Sequence, residues 1–317
     1  MKSEKRSIKK VIKNRISVRQ GKLPEKKIRK NKRTDMGVRD EKRRPVQKSG
    51  LPVGLVSRSD LRTGKNLMIE ESKEILPIQK EKKPISIIVT AYQTQDFIEE
   101  TLDSIENQTY FKDNDNFEVL VGVDGCQDTL NKLLEIRHKY RNLRILMMKR
   151  NAGTYFVTNT LLKQVKYENI LRFDSDDIMK PHMINEIMAV SNQSDVVRVK
   201  CNDFKVENNN VIHTGYRRYA AGVIFYKKSV FDVFGGYRTW KCAADSELIQ
   251  RIEKRIKIKK INKILFERRI HTKSLSNDNK TRVGSDLRVG YHKKIREDKN
   301  NTEVYVKIKT VKFKEIL

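Results

Sequence analysis

The chain is poor in cysteine and has no long apolar run. Its three cysteines, Cys126, Cys201 and Cys242, are widely spaced and form no Cys-x-x-Cys pair. That argues against a zinc cluster and against a disulfide framework, and it fits a reducing compartment. Nowhere do about 18 apolar residues follow one another, so no membrane-spanning helix is expected. Charges are scattered through the first residues, where a signal peptide would need an unbroken apolar core. These absences predict a soluble, cytoplasmic protein, peripheral to a membrane at most. The sequence also lacks an internal repeat, which sets aside solenoids and arrays.

What the sequence has in excess is positive charge. It carries 69 Lys and Arg against 40 Asp and Glu, a net of +29 over 317 residues. The excess is uneven. Residues 1–83 hold 27 basic and 10 acidic side chains, residues 84–250 hold 21 and 22, and residues 251–317 hold 21 and 8. A near-neutral body thus lies between two basic ends. Such ends would attract a polyanion, either nucleic acid or an anionic membrane face, in a salt-sensitive way. They would equally serve as solvated, solubilising charge. Residues 1–83 are poor in aromatics and lack steady periodicity, so they read as a mostly disordered tail and linker. The expected organisation is this tail, a folded domain over 84–275, and a basic extension over 276–317 that packs on the domain.

Within the folded part, apolar runs of strand length alternate with helical periodicity. Ile85-Ser-Ile-Ile-Val89 reads as a buried strand, and Asp96 with Glu99 suggests a capping box for a helix carrying Ile98, Leu102 and Ile105. The pattern repeats through Val119–Val123, a helix near 129–140, Arg144–Met148, a helix near 155–166 and Asn169–Phe173. Further on come helices near 181–190, from Ser229 to Gly235 and from Asp245 to Arg255, and strands near 195–200 and 222–227. Residues 256–264 alternate Lys with Ile, as expected of an edge strand guarded by charge. This alternation predicts an α/β fold built on a mostly parallel sheet with helices on both faces.

Residues 170–178 read Ile-Leu-Arg-Phe-Asp-Ser-Asp-Asp-Ile, so Asp174, Asp176 and Asp177 stand where an apolar strand runs out. In open α/β sheets ligands bind beyond the carboxyl ends of the strands. One or two carboxylates together with substrate phosphates make a magnesium- or manganese-type site. A solvated acidic turn with Asp177 capping the next helix is the plainer alternative. Asp124 ends another strand on the same edge, where it would contribute to the site or cap the helix that follows it.

Five blocks in order resemble the family-2 glycosyltransferases of the GT-A (Rossmann-like) fold. They are Ile87-Ile-Val-Thr-Ala-Tyr92; Leu102-Asp-Ser-Ile105 with Gln108-Thr109-Tyr110; Val121-Gly-Val-Asp-Gly125; Asn151-Ala-Gly153 through Asn159; and Phe173-Asp-Ser-Asp-Asp177, which is similar to the family's DxD site. The resemblance covers about 84–275 and implies a nucleotide-sugar donor. Asp124, with Thr90, Ala91 and Tyr92, would hold the base, probing its ring N–H with a carboxylate. Asn151 and Gly153 would line the donor site, and Asp174 and Ser175 would face the ribose and sugar. Asp176 would ligate Mn2+ or Mg2+ on the diphosphate. Gly235-Gly-Tyr…Ala244-Asp-Ser-Glu-Leu248 is similar to the block that carries the family's base. That makes Asp245 the candidate to deprotonate the acceptor hydroxyl, with Glu247 in reserve and a helix cap as its plainer role. Arg268-Arg-Ile-His271 with Ser274 is similar to a stretch that folds over the diphosphate, which makes His271 a candidate metal ligand.

The chain departs from the family pattern at Ala244, where Glu is common, and at Thr158, where Arg is common. The second departure calls for another cation near the diphosphate, with Arg150 the candidate. Trp240 and Tyr237 would stack on an acceptor or pack in the core. The expected activity is metal-dependent, inverting transfer from a nucleotide-sugar to a glycan or polysaccharide hydroxyl. Transfer to hydroxymethylated DNA bases, or a non-catalytic nucleic-acid-binding role, are the alternatives. A nucleotidyltransferase would want a Gly-rich phosphate loop after the first strand. Thr90-Ala-Tyr-Gln-Thr-Gln-Asp96 has none.

Overall fold

The computed structural model describes residues 82–208, 210–298 and 305–316. The tail expected over 1–83, and with it the polyanion reading of the N-terminal end, lies outside the described residues except for Lys82 and Lys83. Strands and helices alternate from the start as β1 (Ile85–Ala91), α1 (Ile98–Glu106), β2 (Phe117–Val123), α2 (Gln127–Ile136), β3 (Leu143–Met148), α3 (Thr154–Leu162) and β4 (Asn169–Asp174). The second half runs β5 (Ile178–Met179), α4 (Met183–Val190), β6 (Val196–Glu207), β7 (Asn210–Lys227), α5 (Ser229–Phe234), α6 (Ala244–Glu253), β8 (Lys259–Arg269), α7 (Asp286–Glu297) and β9 (Phe313–Ile316).

All of these strands join one sheet in the order β5-β8-β6-β7-β4-β1-β2-β3-β9. The run β4-β1-β2-β3 is parallel throughout, and β6 and β8 form a further parallel pair. β7 enters antiparallel between β4 and β6, and β5 and β9 lie antiparallel on the two margins. The expected parallel sheet is therefore its centre, widened by antiparallel strands.

β1 shows why the centre is apolar on both sides. Successive side chains point to opposite faces. Ile85, Ile87 and Val89 join the core under α1 and α2, while Ile88 joins the other core under α3 and α5. Burying both faces removes a near-continuous apolar run from water, at about 25 cal/mol per Å².

The structure corrects several local expectations. The Asp96–Glu99 capping box does not form: Phe97 is the N-cap of α1 without a side-chain cap bond. Asp96 instead pairs with Lys273 at 2.9 Å, and Glu99 with Lys132 at 2.8 Å and with Lys139. β6 and β7 are far longer than the short segments expected, because exposed residues such as Val211 and Tyr216 extend the hairpin beyond its buried part. The Lys/Ile segment opens β8, which is not the marginal strand; β5 lies outside it and pairs with Phe266 and Glu267, so Lys259–Ile264 has no strand partner on that side among the described residues.

The C-terminal part was not expected to add structure to the sheet, yet residues 305–316 strap across it. Val306 exchanges backbone hydrogen bonds with Phe234 and Gly236 at 3.1 and 2.9 Å. Val311 N–H donates to Thr160 Oγ1 at 3.0 Å, and β9 then pairs with β3. Arg144 fixes the margin by donating to Glu118 Oε2 at 3.0 Å and to Glu315 Oε1 at 2.8 Å.

Candidate active site

Strand register brings the site together. Thr90 of β1 lies level with Asp174 of β4, and Ala91 lies level with Val123, the residue before Asp124. The ends of β4, β1 and β2 thus form one rim. Asp124 is buried, and its two carboxylate oxygens accept the N–H groups of Ala152 and Gly153 at 2.7 and 2.9 Å. It does not cap α2, whose N-cap is Cys126; it caps α3, whose N-cap is Gly153. The contact depends on close approach. A Cβ at Gly125, where φ is +70°, would meet Arg150 C and Asn151 N at 2.4 Å. Burial raises the Asp124 pKa, and the two backbone donors lower it. Thr90 Oγ1 bonds Thr154 Oγ1 at 2.8 Å, tying β1 to the same helix start. Beside it the Tyr92 ring is 45% exposed and free to stack on a planar ligand.

The acidic turn is held from beneath by a buried cation. Arg172 points into the interior from β4, pairs with Asp174 Oδ1 at 3.0 Å and donates to the Gly222 carbonyl of β7. Burial disfavours its charge, but Asp174, Tyr237, Tyr155 and Asp245 together hold the guanidinium firmly protonated. Gly222 makes room for the pair: a Cβ there would lie 2.3 Å from Asp174 Oδ2. Burial raises the Asp174 pKa, Arg172 pulls it down, and the charges of Asp176 and Asp245 push it up again. Both of those carboxylates therefore lie within electrostatic reach of Asp174. Asp176 Oδ2 contacts His271 Nε2 at 2.7 Å, and the His271 ring packs against Phe97 with centroids 4.6 Å apart.

Asp177 has a different fate from the cap first considered for it. α4 begins at Met183 with His182 as N-cap. Asp177 is buried, and Oδ1 accepts Arg269 N–H at 3.0 Å while Oδ2 has no partner. Its pKa is raised well above the usual range by burial and by Asp176 and Asp174.

Asp245 lies in the first turn of α6, whose N-cap is Ala243 rather than Asp245. Ala243 is buried with φ at +63°, a left-handed conformation that costs a non-glycine residue free energy and that the surrounding packing enforces. Asp245 Oδ1 accepts the N–H of Ser246 at 2.7 Å, and Tyr155 bonds the Asp245 backbone. Glu247, the reserve base, is unavailable. It is buried, grips Arg251 at 2.9 and 3.0 Å and takes Arg238 at 3.2 Å. Arg251 in turn donates to the Phe234 and Gly236 carbonyls. Asn159 clips the same turn from α3, donating to Tyr237 O and accepting from Tyr237 N, both at 2.9 Å.

Other candidates fall as follows. Ser175 is buried and Asn151 exposed. Thr158 is fully buried and donates to Thr154 O at 2.8 Å, so no cation occupies the position where relatives often carry Arg; Arg150 is exposed next to Asn151. Tyr237 packs in the core, its ring 5.7 Å from Tyr155, whereas Trp240 stacks flat on Tyr291 at 4.5 Å. Arg172 and Gly222 were missed by sequence reasoning, although an arginine inside an apolar strand was a visible signal for the first. Among the described residues no three His, Cys, Asp or Glu side chains form a closed metal cage. Asp176 and His271, in contact at 2.7 Å, are two side chains of the kinds that bind a cation which keeps waters and takes its remaining ligands from a substrate. His271 Nδ1 is buried and has no partner among the described residues, while Nε2 faces Asp176.

A GT-A sheet with an acidic rim at its parallel centre defines a class, and comparison supplies the family. The family model described as Glycosyl transferase family 2 matches residues 86–249, just over half of the chain. The chain belongs to glycosyl transferase family 2. An uncharacterized glycosyltransferase of Haemophilus influenzae is 36% identical over 112 residues, which make up 35% of this chain and 33% of that protein. The poly(ribitol-phosphate) beta-N-acetylglucosaminyltransferase TarS of Staphylococcus aureus is 34% identical over 121 residues, 36% of this chain and 20% of that protein. The matched region thus spans a third or less of these relatives' lengths. Among solved structures, the mannosyltransferase PcManGT of Pyrobaculum calidifontis, in complex with GDP-Man and Mn2+, shares the fold at a TM-score of 0.50 and 16% identity, over 62% of this chain and 59% of that one.

Proposed function

We propose that the chain is a metal-dependent, inverting glycosyltransferase that moves a sugar from a nucleotide-diphospho-sugar, a uridine type by the reading of Asp124, to a hydroxyl of a glycan or polysaccharide. The observation that supports this reading is the acidic turn at the end of β4, in register with the end of β1 and with Asp176 in contact with His271 at 2.7 Å, in a family-2 chain. Polysaccharide-type acceptors in the names of relatives such as TarS support the acceptor class.

Each residue's chemistry follows from its surroundings. Both Asp124 oxygens already accept a backbone N–H, but a carboxylate oxygen has a second lone pair, so the ring N–H of a base can still be read. Tyr92 would lie on the base. Arg172 holds Asp174 in place to face the ribose and sugar. Asp176 and His271 would hold Mn2+ or Mg2+, which supplies positive charge for the leaving diphosphate. Asp245 accepts the proton of the acceptor hydroxyl as that oxygen bonds the anomeric carbon. The bond from that carbon to the diphosphate oxygen breaks on the opposite side, and the nucleoside diphosphate leaves with the electron pair. One displacement inverts the anomeric centre.

The test is a screen of nucleotide-sugars with manganese, reading release of sugar to water, together with the melting temperature of the full chain with UDP and manganese. At least one donor is expected to be hydrolysed and UDP with manganese to raise the melting temperature. No shift with any nucleoside diphosphate and no hydrolysis would overturn the reading.

A further inference from the structure

A concavity of about 740 Å³ lies beside the acidic turn, and three arginines, Arg218, Arg268 and Arg282, line it. Asp203 is the one carboxylate of its lining among the described residues. That carboxylate is already spent: it is buried, and it holds Arg268 through Nε at 2.8 Å and Nη2 at 2.6 Å, with Arg218 Nη2 3.9 Å away. Among the described residues the lining thus sets three guanidinium groups against one carboxylate, an excess of positive charge facing the cleft. Arg218 is fixed over the Tyr216 ring, 5.4 Å from its centroid, and its buried Nε has no partner. Arg282 stands exposed at the rim with no ion pair among the described residues. Ser274, Ser276 and Asn277 add neutral hydrogen-bonding groups to the lining.

The cleft adjoins the reacting centre. Ile270 in its wall is flanked by Arg269, whose Nε donates to Asp176 O at 3.1 Å, and by His271, which contacts the Asp176 carboxylate. Arg268 lies near enough for its charge to lower the pKa of Asp174 and Asp177 against their burial. A neutral polyol needs no surplus of guanidinium groups. Planar guanidinium forks match phosphate and carboxylate oxygens, and the hydroxyl and amide side chains suit the remainder of a sugar or polyol.

We infer that this cleft binds the acceptor, and that the acceptor is an anionic glycan carrying phosphodiester or carboxylate groups close to the hydroxyl that receives the sugar. The assignment rests on the transferase reading and names its acceptor class.

Calorimetric titration of the full chain at near-physiological salt tests it with three short probes: a glycerol phosphate trimer, trigalacturonate and neutral maltotriose. The basic tail is the same in every variant, so differences between variants report the cleft alone. At least one anionic probe is expected to bind about tenfold or more tighter than maltotriose. Arg282→Gln should weaken that binding about tenfold, and the Arg218→Gln/Arg282→Gln pair more, since a hydrogen bond to a charged group contributes about 1.5–3 kcal/mol. Whichever anionic arm responds identifies the phosphate or the carboxylate source. Equal affinity for charged and neutral probes, or unchanged anion binding in Arg282→Gln, an exposed position that does not threaten folding, overturns the inference. UDP with manganese is titrated separately. Nucleotide binding without arginine-dependent anion binding sinks the cleft alone, whereas anion binding without nucleotide binding sinks the transferase reading and the acceptor assignment with it.

Discussion

Two turns of this molecule are equally crowded with polar side chains and are satisfied to very different degrees. In the Gly-Gly-Tyr turn before α6, Asn159 uses its amide twice on Tyr237, and Glu247 and Arg251 use one another and the turn's carbonyls. In the acidic turn after β4, Asp177 Oδ2 and His271 Nδ1 are buried without partners, and Asp174 and Asp176 crowd like charge together. Buried polar groups in folded proteins are nearly always paired. In the first turn every buried carboxylate and amide is paired, and only Arg238 Nε lacks a hydrogen bond, although it lies 3.2 Å from Glu247; such pairing marks architecture. Deficit in the second is what the proposed donor and metal site requires, because perturbed and underpaired groups gather where ligands bind.

The sharpest way to break this contrast is to remove the centre of the deficient turn. Asp176→Ala should abolish the melting shift with UDP and manganese and lower transfer by about a thousandfold or more, since metal stabilisation of a leaving group contributes several kcal/mol. A retained shift would show that the turn does not hold the cation. Next in size, Asp245→Asn should cut transfer by about 10²- to 10⁴-fold while the nucleotide-induced shift persists. Near-normal turnover would remove Asp245 from the role of base.

On the saturated side the expected damage is to stability. Glu247→Ala leaves Arg251 buried and unpaired, a loss of about 3–5 kcal/mol by denaturant unfolding. A negligible loss would mean that the turn does not depend on its internal pairing. The smallest effect concerns pH. Asp177 has a folded-state pKa raised by burial and by Asp176 and Asp174, so the folded chain binds the extra proton between the ordinary and the raised values. The stability this group contributes is complete below the ordinary carboxylate value and is lost as pH rises through the raised one. Asp177→Asn cannot titrate, so it should gain in melting temperature relative to the unmutated chain as pH rises above the ordinary carboxylate value of about 4. A constant difference across that range would contradict the raised value.

Much of the sheet centre and of the rim was readable from local pattern. Apolar runs of strand length and their terminal carboxylates are short-range signals, and Asp124, Asp174 and Asp176 stand where the strands end. What was hidden depends on partners distant in sequence. Asp124 caps α3 across 28 residues and not the adjacent α2, a choice made by the approach of the Arg150–Gly153 loop. Gly222 serves a pair on a neighbouring strand, and Glu247 looked like a free acid until Arg251 and Arg238 were placed beside it. The outer parts of β6 and β7 were invisible because they are exposed and so carry no burial periodicity.

Arg144 bonds Glu118, 26 residues back, and Glu315, 171 residues ahead. Contacts of such separation form only after a large loop has closed, which makes them slow to appear and poor seeds for a nucleus. Closing the outer margin of β3 thus depends on a segment 171 residues away, and a chain cut before Glu315 should expose β3 as an unpaired border that other chains can join.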